Sequence, residues 1–229
     1  MIDHEILIYA LLGGILPAVL WLNFWLKEDR HQEPRKLIVG SFLLGGASVF
    51  VALPIEHLFN EILPHYSLLA LFAWASTEEA VKLLAAYFVA LRTRFNDEPI
   101  DAMIYLLSSA LGFSAIENTL FLLKPFSNGD FATGLATINL RFIGASLLHI
   151  ICSVIIAIGI GFAFYKKPLT KKIVLGVSFL VSALLHTAFN NFIIKSEYSI
   201  FFIFSGVWIG LIAVIVILEK IKRIKKIYS

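Results

Sequence analysis

Charged residues are scarce in this chain: Asp, Glu, Lys and Arg make up 15% of its 229 residues, whereas hydrophobic residues make up 59%. This composition cannot give a globule a surface of ordinary polarity, so it excludes a water-soluble protein and indicates repeated membrane crossing. There is one cysteine, Cys152, which excludes a disulfide framework within the chain. Repeats of fixed period and Pro-, Ser- or Gly-rich linkers are also missing, so we expect one domain over residues 1–229.

Seven apolar stretches are long enough to cross a membrane as α-helices, which takes about 17–25 residues each. They cover residues 6–26, 37–53, 68–91, 100–123, 142–164, 173–194 and 200–218. Acidic rather than basic residues precede the first stretch, so we interpret it as a retained span and not a signal peptide. The sequence therefore predicts an all-α, polytopic transmembrane bundle with membrane lipid around it.

The distribution of Lys and Arg predicts the orientation of this bundle. Fifteen of the nineteen basic residues fall in alternate connections and the C-terminal tail, three fall in the other connections, and Lys82 lies inside a span. Because cytoplasmic loops carry the excess of positive charge, we expect the N-terminus outside and the C-terminus inside. The net charge of +3 is then explained by topology, and no nucleic-acid partner is expected.

Three charged residues, Glu78, Glu79 and Lys82, lie in the middle of the third apolar stretch. On an insertion scale each costs roughly 2.5–3.5 kcal/mol at the bilayer centre, so a functional reason for keeping them is expected. At 1.5 Å per residue, Glu117, His149 and His186 fall about 9–12 Å from the outer end of three other predicted helices, and Glu78 and Glu79 fall about 15 Å from the outer end of theirs. We expect these side chains to meet in one interior, water-accessible pocket in the outer half of the membrane.

The residue types suit hydrolysis, because a carboxylate can deprotonate water and imidazoles can bind a metal or donate to an oxyanion. His186 and Asn190 are four residues apart and share a helix face, so the amide can orient the ring or bind substrate backbone. Intramembrane Glu, Lys and His also build proton-coupled transporters and channels, which is the alternative class. A non-catalytic scaffold is disfavoured because it has no use for the buried charges.

The residues singled out above occur in a fixed order along successive predicted helices. The order is Glu78-Glu79-x-x-Lys82, Phe113-x-x-x-Glu117, His149 and His186-x-x-x-Asn190. In this order they resemble the PrsW family of intramembrane proteases, which is related to the CAAX-processing and bacteriocin-processing membrane proteases. Residues 97–101 and 111–118 are similar to the second conserved block of that family, and the likeness covers about residues 74–192. It departs from the CAAX-processing branch, which has a histidine in place of Glu117.

The resemblance implies a membrane-embedded peptidase of the bacterial cell membrane. Its substrate would be a membrane-anchored protein, with site-1 cleavage of an anti-sigma factor as the family precedent. Together with the predicted topology, this places the catalytic layer towards the exoplasmic side. Glu78, Glu79, Lys82, Glu117, His149, His186 and Asn190 are the expected catalytic residues.

The sequence is consistent both with a zinc ion at this site and with a mechanism that uses no metal. Glu117, His149 and His186 form a plausible two-histidine, one-carboxylate zinc set with Glu78 or Glu79 as base, although the local His-Glu-x-x-His pattern is absent. A metal-free glutamate mechanism uses the same residues.

Two further expectations concern the long outer connection, residues 124–141. Its apolar part, 131–140, is read either as an ordinary loop or as a short interfacial helix that could gate a site. Arg141, at its end, is interpreted as an interfacial anchor.

Overall fold

A computed structural model describes residues 4–27, 31–195 and 200–224, and within these ranges it is helical without β-strands. The all-α bundle predicted from the sequence is therefore confirmed. The helices are α1 (His4–Leu26), α2 (Arg35–Ile62), α3 (Leu68–Ala86), α4 (Asp101–Ser127), α5 (Phe131–Leu140), α6 (Ser146–Phe162), α7 (Pro168–Lys195) and α8 (Ile200–Ile221). Two π-helical turns, Tyr87–Leu91 and Arg141–Ala145, extend α3 and join α5 to α6.

Six helical segments of the described residues are both long and apolar enough to cross a membrane. They contain α1, α2, α4, α5 with α6, α7 and α8. Helix α3 has 19 residues and its π-helical turn adds five, which is a spanning length, but it carries Glu78, Glu79 and Lys82. Its charges face the protein interior, so the bundle itself and not lipid surrounds them.

The large apolar side chains divide between the inside and the outside of the bundle. Leu106, Leu107 and Leu111 of α4 are fully buried, whereas Leu43 of α2 and Ile209 of α8 are 64% and 67% exposed. Exposed apolar side chains in such number are unfavourable in water and favourable against lipid tails. The outer surface is therefore one that suits a membrane.

Helix α4 forms the centre of the bundle and packs against α1, α2 and α6. It crosses α2 closely enough that a Cβ atom at Gly112 would collide with the backbone carbonyl of Phe42, and a Cβ atom at Gly45 would collide with that of Ser109. Small residues allow helices in membranes to approach this closely. The crossing brings α2 to the same side of the bundle as the charged residues of α3.

The apolar part of the long connection after α4, residues 131–140, forms helix α5 and is not an ordinary loop. Asp130 caps its N-terminus by accepting hydrogen bonds from the Thr133 hydroxyl and backbone N–H, at 2.6 and 3.0 Å. The same hydrogen bonds, from the hydroxyl above all, hold the pKa of the Asp130 carboxyl below its ordinary value. Helix α5, the π-helical turn at residues 141–145 and helix α6 follow one another without a break.

Candidate active site

The three charged residues of α3 are almost entirely buried. Glu78 is 7% exposed, and Glu79 and Lys82 are 0% exposed. Lys82 Nζ donates to Glu79 Oε1 at 2.6 Å, and the Lys82 backbone carbonyl accepts a hydrogen bond from the Ser109 hydroxyl at 2.8 Å. The i, i+3 spacing on the helix produces this ion pair, which leaves Glu78 on the neighbouring face without a basic partner of its own on α3.

His149 of α6 lies between Lys82 and Glu117. Its Nδ1 is 3.1 Å from Lys82 Nζ, and its Nε2 is 2.9 Å from Glu117 Oε2. Because a lysine ammonium can only donate, Nδ1 accepts and the Nε2 proton is donated to Glu117. The two neighbours thus fix both the orientation and the tautomer of the His149 ring.

His186 of α7 is held in a similar way by Glu79. Its Nδ1 lies 2.9 Å from Glu79 Oε1, and its ring stands nearly perpendicular to that of His149, with centroids 5.3 Å apart at 87°. Asn190, one helical turn later, lines the same cavity. Side chains from four helices therefore lie in contact with one another: Glu78, Glu79, Lys82, Glu117, His149 and His186.

Arg141 belongs to this site, although sequence analysis interpreted it as an interfacial anchor. Its Nη2 donates to Glu117 Oε2 at 2.6 Å, its Nε donates to Asn118 Oδ1, and its guanidinium lies 3.9 Å from the centre of the Phe121 ring. The side chain is only 15% exposed. Apolar periodicity does not reveal the π-helical turn that starts at Arg141, so no local sequence pattern signals this contact.

The fit of a metal ion can be judged from the donor atoms present. Glu78 Oε2 lies 3.7 Å from His186 Nε2 and 3.8 Å from His149 Nδ1, and no described residue donates a hydrogen bond to it. Ligands at about 2.0–2.2 Å from a tetrahedral zinc ion are separated by roughly 3.3–3.6 Å, so these atoms are close to a ligand spacing. His149 Nδ1 would exchange its contact with Lys82 for the ion, while Lys82 keeps Glu79. The residues present therefore fit a zinc ion.

Two groups of side chains in the described part of the chain place their ligand atoms within 4.8 Å of one another: Glu78 with His149 and His186, and Glu79 with Cys152 and His186. In the second group Glu79 is already bonded to Lys82 and His186. Glu117, the carboxylate of the ligand set predicted from the sequence, lies in neither group and contacts His149 through the opposite ring nitrogen.

A cavity of about 600 Å³ opens onto these residues. Glu78, His149 and His186 form its buried base, and Tyr66 and Leu140, which are 47% and 40% exposed, lie at its outer rim. Its walls are lined by Val49, Ala52, Leu53, Glu56, Trp74, Phe113, Glu117, Leu120, Phe121, Arg141, Ala145, Leu148, Phe189, Asn190, Ile193, Ile194 and Phe204. A mostly apolar cavity with a few convergent polar groups at one end is the usual form of a substrate site.

Sequence analysis did not single out one ionisable residue of this cavity, Glu56. The predicted span ended at residue 53, directly before Pro54. Helix α2 instead continues through Pro54 to Ile62 and carries Glu56 to the cavity wall.

A sequence model of the PrsW family of intramembrane metalloproteases matches residues 33–218, which include every residue of this site. The chain belongs to the PrsW family. It is 30% identical to Protease PrsW of Geobacillus kaustophilus (strain HTA426) over 191 residues, which cover 81% of this chain and 80% of that relative. It is 27% identical to Protease PrsW of Bacillus subtilis (strain 168) over 181 residues, covering 78% and 79% respectively. No solved structure matches the chain.

PrsW membership confirms the family resemblance found in the sequence and establishes the broad activity. The chain is an integral membrane protease, and its substrate is a protein. The family is described as one of metalloproteases, in agreement with the metal-fitting group of Glu78, His149 and His186.

Proposed function

We propose that this chain is a zinc-dependent intramembrane endopeptidase that hydrolyses a peptide bond of a membrane-anchored protein close to the exoplasmic face. One observation carries the proposal. At the base of a cavity within membrane-spanning helices, the buried Glu78 Oε2 faces a nitrogen of each histidine without a hydrogen bond from any described residue. A buried carboxylate oxygen without a donor is costly, and a cation between these three atoms removes that cost.

Glu78, His149 and His186 are the proposed metal ligands. When bound, zinc polarises the scissile carbonyl and makes a bound water nucleophilic near neutral pH. The chain's own residues hold the two imidazoles in place: Glu79 accepts from His186 Nδ1, and Glu117 accepts from His149 Nε2. Such hydrogen bonds to ligating histidines fix the ring orientation and increase ligand basicity.

Glu79 is the proposed acceptor for the proton released by the attacking water. Its Oε1 is held by Lys82 and His186, whereas its buried Oε2 has no hydrogen-bond partner among the described residues. Lys82 keeps the carboxylate in place and balances its charge. Both glutamates are then required for turnover, with Glu78 binding the metal and Glu79 moving the proton.

Glu117 takes a different role here from the ligand role predicted from the sequence. Arg141 and His149 both donate to its Oε2, so that oxygen is already engaged. We assign Glu117 to positioning His149, and Asn190 to hydrogen bonding with the substrate backbone beside the reacting carbonyl.

The proposed substrate is a protein with a single membrane-spanning segment, cut on the outer side of the bacterial cell membrane. Support comes from the excess of basic residues on the opposite side, since Tyr66 and Leu140, at the exposed rim of the cavity, lie in or beside connections that this count predicts to be outside. The family resemblance makes an anti-sigma factor the foremost candidate substrate, with this chain performing the first of its cleavages (site-1 cleavage).

Metal content and cleavage, measured on the same purified protein, test this assignment. Wild type should bind about one zinc per chain and cleave a membrane-anchored reporter, with reversible loss on chelation. Glu78→Gln and His186→Ala should lose both zinc and cleavage, whereas Glu117→Gln should lower metal affinity by only about 10- to 100-fold because it acts through His149.

Three results would contradict the assignment. Full cleavage by metal-free protein would support the metal-free glutamate mechanism instead. Zinc loss in Glu117→Gln but not in Glu78→Gln would restore the ligand set predicted from the sequence. Proton-coupled ion flux without cleavage of any reporter would support the transporter alternative.

A further inference from the structure

Glu56 differs from the other acidic residues that line the cavity. Glu117 is paired with Arg141 and His149, and Glu78 faces both histidines. Glu56 has neither an ion pair nor a hydrogen bond with any residue in the described ranges, yet it lies on a membrane-spanning helix. Its carboxylate is thus the acidic group of the cavity that the proposed chemistry does not use.

The charges around Glu56 leave its own charge unbalanced. Two further carboxylates of the same cavity, Glu78 and Glu117, interact electrostatically with it, as does Lys82. Lys82 already forms its ion pair with Glu79, and Glu117 already accepts from Arg141. A carboxylate in apolar surroundings retains its charge readily only when a cation is supplied, and the basic residues of this cavity are engaged elsewhere. The missing cation is therefore expected to come from the molecule that fills the cavity.

The cavity walls suit a long basic side chain. Leu53, Leu120 and Phe121 offer apolar surface for the methylene stem of Lys or Arg, which commonly lies along such surface while the charged head reaches a polar group. Tyr66 and Trp74 add two rings in edge-to-face contact, with centroids 5.9 Å apart at 83°. Aromatic faces attract cations, and more strongly where water is excluded.

The backbone at Tyr66 gives a further indication that this wall is a functional surface. Tyr66 has a φ of +53°, in the left-handed region that favours glycine. Holding a bulky residue in this region is unfavourable, and such residues cluster at ligand sites. Glycine would adopt this turn at lower cost but would remove a ring from the cavity wall.

We propose that Glu56, with Tyr66 and Trp74, forms a subsite that binds a Lys or Arg side chain of the substrate near the scissile bond. This specificity rests on the proposed proteolytic function. Basic residues often flank membrane-spanning segments, so a juxtamembrane Lys or Arg is available in many single-span proteins. Glu56 is then a specificity residue that acts on substrate binding and takes no part in the bond cleavage.

The test uses the full-length protein in lipid nanodiscs and a set of single-span reporter peptides. Each reporter carries Lys, Gln or Glu at one juxtamembrane position, and the position is moved along the peptide one residue at a time. Two quantities are measured for each reporter: kcat and KM for cleavage, and binding by fluorescence anisotropy in the Glu79→Gln background with excess zinc, in which the proposed metal ligands are intact. The protein variants are Glu56→Gln, Glu56→Lys and, as a matched control, Glu61→Gln, which alters an exposed glutamate of α2 outside the cavity.

At one position, wild type should prefer Lys over Glu by at least about tenfold, the size expected for a hydrogen bond to a charged group. The preference should appear mainly in KM and in binding. Glu56→Gln should remove it, Glu56→Lys should reverse it, and Glu61→Gln should leave it unchanged. Where Glu56→Lys does not fold, the Glu56→Gln comparison decides.

Failure of this proposal is distinguishable from failure of the proposed function. Cleavage without charge preference at any position, or a Lys preference that survives in Glu56→Gln, would overturn the Glu56 subsite and leave the protease intact. Preferential binding of Lys reporters without cleavage by wild type would support the subsite and refute the proposed hydrolysis. Absence of both preferential binding and cleavage would overturn the two together.

Discussion

Glu117 connects Arg141 to the ring of His149. Its Oε2 accepts from Arg141 Nη2 and from His149 Nε2, while Arg141 Nε also donates to the neighbouring Asn118. The planar guanidinium can satisfy these two acceptors at fixed positions, and an ammonium group cannot. Arg141 therefore positions Glu117, and through Glu117 it positions the His149 ring.

We expect Arg141→Lys to lower kcat/KM by about 10- to 100-fold, the usual loss when the partner of a ligating histidine is disturbed. Because charge is retained, the amount of folded protein should stay near that of wild type. Arg92→Lys is the matched control, since Arg92 lies in the connection after α3, against the ring of Phe88, and away from the cavity. Bound zinc should fall in Arg141→Lys and not in Arg92→Lys; unchanged zinc affinity and unchanged kcat/KM would rule out the positioning role.

Glu79→Gln separates proton transfer from metal binding. The amide can still accept from Lys82 and His186 through its oxygen, so the site should still fill when zinc is in excess, although with an affinity lowered by about 10- to 100-fold, as in Glu117→Gln. Without a carboxylate to take the proton, cleavage should fall by about 10²- to 10⁴-fold. Zinc analysis and cleavage rates on the same preparation measure both effects. Wild-type turnover by Glu79→Gln would exclude Glu79 as the proton acceptor.

Depth along a helix could be predicted from the sequence, but direction around the helix could not. Counting residues from the ends of apolar stretches placed Glu78, Glu117, His149 and His186 in one layer, and the structure brings them together. Which nitrogen of His149 faces which carboxylate depends on how α3, α4 and α6 rotate against one another. Glu117 was for that reason predicted as a ligand, whereas the geometry favours Glu78.

At the scale of helices, the close crossing of α2 and α4 fixes the distance between the cavity wall and the site. Gly112→Ala places a methyl group where the Phe42 carbonyl lies, so the helices must separate. Such overpacking typically costs about 1–3 kcal/mol. We expect a lower unfolding temperature and weaker cleavage, because the cavity wall formed by α2 would move away from Glu117 of α4.

Gly206→Ala in α8 provides the control for this prediction. Nothing lies within 4 Å of a Cβ atom built at Gly206, and alanine favours a helix over glycine. Its unfolding temperature, measured in the same detergent, should match or exceed that of wild type. Equal thermal stability of the Gly112→Ala and Gly206→Ala variants would contradict the tight α2–α4 crossing.

The helical type of the elements and the approximate positions of the long helices followed from apolar stretches, because a chain in lipid must satisfy its backbone hydrogen bonds within helices. Two features did not. Pro54 lies inside α2 instead of ending it, which carries Glu56 to the cavity. The π-helical turn Arg141–Ala145 directs Arg141 inwards. Packing against neighbouring helices determines both features, and such packing cannot be predicted from the pattern of residues along one helix.

At the scale of the whole molecule, orientation in the membrane decides which proteins can be substrates. The inside and outside assignments rest on the excess of Lys and Arg in alternate connections. Asn128 follows α4 on the same side as the cavity rim, and Thr170 lies among the lysines at the start of α7. Both residues are exposed, so each can report the side on which it lies.

Cysteine labelling of intact cells tests the orientation directly. Cys152 is buried and is first replaced by alanine, so that the only reactive thiol is the introduced one. Asn128→Cys should react with an impermeant maleimide in intact cells, and Thr170→Cys should react only after the membrane is permeabilised. Since the proposed catalytic residues line a cavity whose rim is predicted to lie on the same side as Asn128, this pattern would give the protease access to exoplasmic segments of its substrates. The opposite pattern would place the cavity on the cytoplasmic side and exclude cleavage near the outer face.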